Sequence, residues 1–133
     1  MGIVNVTPDS FSGDGALDPD DAVEHALALA EHGADILDVG GESSRPGADP
    51  VDPAEETRRV VPVIERLSHR VELPISVDTR HACVAEAALA AGATMVNDVW
   101  GFLQDPELAH VVSGQGAWAV AMHNRKSVAA SAP

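Results

Sequence analysis

The sequence predicts a parallel α/β fold of about five strands and four helices. Two observations predict it. Short apolar runs, apolar on both faces, alternate with helical patterns along the chain, which is how strands covered by crossover helices read. An acid followed by proline recurs at Asp18-Pro19, Asp52-Pro53 and Asp105-Pro106, each time just before a helical pattern. Aspartate suits the N-cap and proline the first helical position. Two architectures carry this alternation: a doubly wound sheet and part of a (β/α)8 barrel.

Each element has its own signal. Gly2–Asn5 is a short apolar strand, followed by a turn-rich loop from Thr7 to Leu17. The helix after Asp18 carries Asp20 and Asp21 in its positive first turn and an apolar stripe of Val23, Ala26, Leu27 and Ala30. Gly33 can end it in the left-handed conformation. Ala34–Val39 reads as a buried strand. Asp52 with Glu55 starts the second helix in the manner of a capping box. Val60, Val63, Ile64 and Leu67 share one face of it, and Pro62 predicts a kink. Pro74–Asp78 is a strand. Thr79–Ala91 is a helix with Val84, Ala87, Ala88 and Ala91 inward, closed by Gly92. Ala93–Asp98 is a strand, a short helix runs from Asp105 to Gly114 or Gly116, and Ala117–His123 is the fifth strand.

Composition excludes several classes. The chain has 133 residues with 8 Lys+Arg and 21 Asp+Glu, a formal charge of −13. Such acidity argues against nucleic acid and anionic membranes, which demand clustered Lys and Arg. It reads as a solvated acidic surface, with adaptation to high salt as the alternative. No run approaches the roughly 18–20 apolar residues of a membrane span. No basic residue precedes the first apolar run, so no secretory signal is expected. The single cysteine, Cys83, allows no internal disulfide and suits a reducing cytoplasm. Its place beside Ala82 and Val84 predicts a small core residue rather than a nucleophile.

Polar residues gather at the strand carboxyl ends: Asn5, Asp38 to Gly41, Asp78, Asn97-Asp98 and His123. In a barrel these ends form the rim that carries active sites. Two loops stand out, Asn5–Gly13 and Gly40–Gly47. Their glycines let backbone N–H groups approach an anion, and serine hydroxyls and Arg45 add donors. Neither is a Walker loop nor a dinucleotide fingerprint. None of the six histidines has a zinc spacing, and His25 and His32 fall on the outer face of the first helix. Met122 reads as core or pocket wall.

N-V-T-P-D-S-F-S at Asn5–Ser12 and G-G-E-S-S-R-P-G at Gly40–Gly47 closely resemble the signature loops of the dihydropteroate synthase family. S-V-D-T at Ser76–Thr79, V-N-D at Val96–Asp98 and M-H at Met122–His123 follow in that family's order. The resemblance runs from Met1 to about Arg125 and matches the N-terminal half of a (β/α)8 TIM barrel. It implies residues 1–125 as that half and 126–133 as a frayed tail or truncation end. It also implies a cytoplasmic transferase of folate biosynthesis, a sulfonamide target. The family joins 6-hydroxymethyl-7,8-dihydropterin diphosphate to p-aminobenzoate and releases pyrophosphate. By resemblance Asn5 is the ligand of Mg²⁺. Asp78 and Asn97 bind the pterin, with Met122 in the substrate pocket. Arg45 faces the phosphates, and Ser44 and Pro46 lie near p-aminobenzoate. A homodimer is implied for the full-length family member.

The family's later pterin aspartate, its lysine and its Arg-x-His clamp have no counterpart in these 133 residues. The isolated chain is therefore expected to be inactive, and to fold poorly or associate through the faces a half barrel leaves open. Two alternatives are a pterin-binding methyltransferase domain, disfavoured by the two anion-handling loops, and a non-catalytic pterin-binding half-barrel.

Overall fold

A computed structural model describes residues 1–7, 18–42, 50–99 and 101–121. The five strands are β1 (Gly2–Asn5), β2 (Leu37–Gly40), β3 (Ile75–Asp78), β4 (Met95–Asp98) and β5 (Trp118–Ala121). Between them run α1 (Pro19–Glu31), α2 (Pro53–Ser68), α3 (Ala82–Ala91) and α4 (Glu107–Gln115). The strands form one parallel sheet in the order β1-β2-β3-β4-β5. That order decides between the two predicted architectures. A doubly wound sheet reverses its strand order partway and carries helices on both faces. Here each strand lies beside its predecessor, and each helix packs on the next, α1 on α2, α2 on α3 and α3 on α4. This is the winding of a (β/α)8 barrel.

The acid-proline signals do what their chemistry predicts. Asp18 Oδ1 accepts from the Asp20 N–H at 2.9 Å, and Asp52 Oδ1 from the Ala54 N–H at 2.8 Å. Asp105 serves two helices: Oδ1 accepts from Glu107 N–H at 3.1 Å and Oδ2 from Ala82 N–H at 2.9 Å, at the start of α3. α2 runs through Pro62 as one helix. Gly33 (φ 100°) and Gly116 (φ 66°) follow α1 and α4 in the left-handed region.

The core lies between the sheet and the helices. Val4, Val39, Val77 and Val96 point to that side and are fully buried against Val60, Val63, Ile64, Leu67, Val84 and Leu108. Several boundaries differ from expectation. β2 begins at Leu37, because Ala34–Ile36 form the turn out of α1. α3 begins at Ala82, because the Thr79 hydroxyl oxygen accepts from the His81 N–H at 3.1 Å and holds that segment outside the helix. The inward face of α3 is Ala82, Val84, Ala85 and Ala88, with Ala87 only half-buried. Cys83 is exposed, which corrects its reading as a core residue: it points away from the sheet while both neighbours point in. β5 is largely exposed, with Trp118 at 73%. The tail 126–133 lies outside the described residues.

Gly92 joins α3 to β4 under tight constraint. Its φ is 130°, and a Cβ there would stand 2.5 Å from the Cβ of Ser68 at the end of α2. Gly92→Ala combines a disfavoured backbone with a clash. It is expected to lower unfolding stability by about 2–3 kcal/mol in urea titrations.

Candidate active site

Register alone brings the described site residues together. Asn5 pairs with Gly40, Gly40 with Asp78, and Asp78 with Asn97. Paired residues of a parallel ladder point to the same face, so one row crosses four strands. Val4, Val39, Val77 and Val96 point to the helices, so this row points to the opposite, open face. One layer beneath it, towards the strand starts, runs a second row on that face: Ile3, Asp38, Ser76, Met95 and Trp118. Its middle is buried, Asp38 at 3% and Ser76 at 0% exposure, while Ile3 stands 57% exposed at one edge. Asp98 follows Asn97 by one residue and so belongs to the helix side, where its Oδ2 accepts from the Phe102 N–H at 2.9 Å.

Gly40 keeps the row open. A Cβ there would stand 3.3 Å from the Cβ of Asp78. Gly41 answers a different need, since a Cβ would meet Val60 Cγ1 at 3.0 Å and the Glu56 carbonyl oxygen at 3.2 Å. The second glycine of the pair thus lets α2 approach the sheet, a packing reason that anion binding does not require.

The electrostatics are dominated by acids. Burial pushes the Asp78 carboxyl up to about 7, helped by the negative charges of Asp38, Asp98, Glu56 and Glu42. Burial also raises Asp38, against the pull of neighbouring Ser76 and Asn97. Asn97 Nδ2 donates to Asp38 Oδ2 at 3.2 Å. Asp38 Oδ1, Ser76 Oγ and Asn97 Oδ1 are buried without partners of hydrogen-bond geometry among the described residues.

Behind the row a second network ties two loops together. Arg80 donates to Glu42 through Nε at 2.9 Å and Nη2 at 3.2 Å. Glu42 Oε2 also accepts from Val51 N–H at 2.8 Å, so one carboxylate joins Val51 to Arg80. Burial pushes Glu42 up, but Arg80 and the Val51 N–H outweigh it and hold the carboxyl below its ordinary value. Glu56 is 1% exposed. Burial raises it to about 7, opposed by Thr79 and by the Arg80 and Arg59 charges. His81 Nε2 lies 3.9 Å from Glu56 Oε1.

Glu42, Glu56 and His81 offer ligand atoms within 4.8 Å of one another. The donor set suits Mg²⁺ poorly. Glu42 is already engaged by Arg80 and Val51, and an imidazole nitrogen suits softer ions than a hard cation that prefers oxygen and water. Asn5 fits Mg²⁺ better. It is an exposed oxygen donor on the open face, in the same row as Asp78, and Mg²⁺ takes few protein ligands and keeps several waters.

Of the residues singled out from sequence, Asn5, Asp78 and Asn97 thus share one row. Ser44, Arg45, Pro46, Met122 and His123 lie outside the described residues. Sequence reasoning named Asp38 among the strand-end residues without giving it a role, and missed Glu42, Glu56 and Arg80 as members of the site's network. Two had a readable signal. Asp38 interrupts an apolar strand, and Glu56 falls on the stripe of Val60, Val63, Ile64 and Leu67, where a surface acid does not belong.

Fold and rim together define a parallel α/β-barrel segment with a row of polar residues, Asn5, Asp78 and Asn97, at its strand carboxyl ends. The chain belongs to the pterin binding enzyme family, whose model matches residues 1–132. It is 52% identical over 126 residues to a dihydropteroate synthase of Bacillus subtilis, a match covering 94% of this chain and 44% of that protein. A dihydropteroate synthase structure from Xanthomonas albilineans with 4-aminobenzoic acid superposes with a TM-score of 0.87 at 54% identity, over 92% of this chain and 45% of that one. One from Clostridium difficile, in the presence of pteroic acid, gives 0.89 at 53% identity, over 93% and 48%. The chain spans about half the length of the curated relatives it matches.

Proposed function

We propose that this chain carries the first-half substrate contacts of a dihydropteroate synthase. The full-length enzyme would act in the cytoplasm as a homodimer. It would join 6-hydroxymethyl-7,8-dihydropterin diphosphate to p-aminobenzoate and release pyrophosphate. The observation that carries this reading is the single register row joining Asn5, Asp78 and Asn97 on the open face. A pterin edge offers a 2-amino group and a ring N–H, and the Asp78 carboxylate can accept both as a bidentate pair. Asn97 hydrogen-bonds neighbouring ring atoms. A buried site built for this edge rejects rings that lack it.

Bond making needs little acid or base. The arylamine is neutral at pH 7, the carbon–oxygen bond breaks with its electron pair leaving on the diphosphate, and the new carbon–nitrogen bond sheds a proton from nitrogen. The protein's work is therefore positioning and charge stabilisation. Asn5 would hold Mg²⁺, which neutralises diphosphate charge when bound. In this reading Arg45 faces the phosphates, Ser44 and Pro46 lie along p-aminobenzoate, and Met122 walls the pterin pocket. The same arylamine subsite is where sulfonamides would compete.

A chimera tests the proposal. Residues 1–126 replace the matching segment of the Bacillus subtilis enzyme, and dihydropteroate and pyrophosphate are assayed with Mg²⁺. The expected result is synthesis that Asp78→Ala abolishes. A folded chimera that makes no dihydropteroate would overturn the proposal.

A further inference from the structure

We infer that Asp38 is a positioning residue that fixes the direction of the Asn97 amide and so sets which ring edge the site accepts. The inference rests on the pterin reading of the Asp78–Asn97 pair. Asp38 lies on the open face, one layer beneath that pair, and is 3% exposed. Its Oδ2 receives the Asn97 Nδ2 hydrogen bond at 3.2 Å. An ionised carboxylate only accepts, so the amide must turn its nitrogen towards Asp38 and its oxygen away. That oxygen, Asn97 Oδ1, is buried and makes no hydrogen bond among the described residues. Asn97 therefore presents an acceptor, beside an Asp78 that presents acceptors when ionised. The pair together asks for a ring edge made of donors.

Stability gives no reason for an acid at this position. Leu37 and Val39 flank it, and burial disfavours its charge more than Ser76 and Asn97 favour it. An asparagine free to flip could present either its oxygen or its nitrogen to a ligand. It would then accept a ring with a carbonyl where pterin has its amino group. Asp38 removes that freedom. The role is one of ligand choice, and it predicts a change of selectivity beyond any change of affinity.

The test compares pterin with lumazine, which carries an oxo group in place of the 2-amino group. Binding of each to the chimera carrying residues 1–126 is measured by calorimetry for the unmodified segment, Asp38→Asn and Asp38→Ser. The preference for pterin is expected to fall at least tenfold in both variants, with circular dichroism unchanged. In the wild type, the Asn97 side-chain amide resonance is expected to move as Asp38 titrates, a readout that needs no ligand and no variant. An unchanged pterin-to-lumazine ratio in a folded variant, or an Asn97 amide indifferent to that titration, overturns the inference alone. A folded chimera with the unmodified segment that binds neither ring overturns the pterin reading and this role with it.

Discussion

Asp78→Ala is expected to weaken pterin binding at least a hundredfold without lowering the melting temperature. The bidentate pair it removes is charge-assisted and largely desolvated, and roughly 3 kcal/mol is a moderate figure for such a loss. The unliganded fold gains, because burial and four neighbouring acids already oppose the Asp78 charge. The sign of the pH effect follows from the direction of that shift. The carboxyl is raised from 3.8 to about 7, so the folded chain holds a proton that the unfolded chain releases. The stability that proton uptake contributes is fully present below the unfolded value and is lost as pH rises through about 7. Ligand binding runs the other way. Pterin donors need the ionised carboxylate, so wild-type affinity is expected to climb between pH 6 and 8. Calorimetry across that range with Asp78→Asn alongside checks both effects. A variant that binds as tightly as the wild type, or a wild-type affinity flat across the range, contradicts this account of Asp78.

Much of the fold could be read from the residues, for reasons that differ from element to element. Asp18 and Asp52 announce their helices because a cap is a local interaction, completed within two residues. The apolar stripe of α2 is likewise local, since helical period alone decides which side chains meet the sheet. The start of α3 was misread because it is set by tertiary contacts. Asp105, 23 residues away, accepts the first helical N–H, while the Thr79 hydroxyl keeps the preceding turn out of the helix. Cys83 was misread because a run of alanines gives no contrast from which to judge which face is inward. The choice between doubly wound and barrel winding could not be made from alternation, since both share it. Strand order decides it.

The site divides in the same way. Asn5, Asp78 and Asn97 stand at strand ends, and strand ends of a parallel barrel meet at one rim whatever the details of packing. Their shared place at the rim is therefore legible from the alternation of strands and helices alone. Asp38 and Glu56 differ in kind. Each is a polar residue within an apolar pattern, and its meaning depends on a partner far along the chain, Asn97 for one and the Thr79–His81 turn for the other. Glu42 is the sharpest case. Nothing within the G-G-E-S-S-R-P-G motif marks it for a partner far along the chain. In the structure its carboxylate joins Val51 to Arg80, two residues beyond Asp78, and so ties the foot of one signature loop to the strand end that carries another site residue.

That tie makes Arg80→Ala the substitution with the largest expected cost to the fold around the site. Removing one partner of a buried ion pair costs about 3–5 kcal/mol because the other charge is left uncompensated. Glu42 and Arg80 keep side-chain exposures of 16% and 24%, so solvent screens part of this and about 2 kcal/mol is expected. Arg80 also opposes the burial of Glu56, so its loss removes a favourable positive charge from two acids. The sign of the pH dependence separates this account from a simple loss of packing. Glu42 is held below its ordinary value of 4.5, so the pair contributes stability above that pH and loses it as pH falls through the lower, folded value. In urea titrations the deficit of Arg80→Ala is therefore expected in full at pH 7.5 and to be smaller at pH 4, below the 4.5 at which a glutamate without its cation takes up a proton. Adding Glu42→Gln to Arg80→Ala should recover part of the loss at pH 7.5, because a neutral amide can keep the Val51 N–H bond without leaving a charge behind. A deficit equal at both pH values, and untouched by the second substitution, would mean that Arg80 acts through its hydrocarbon stem. The link from Val51 through Glu42 to the Asp78 strand end would then be a contact without energetic weight.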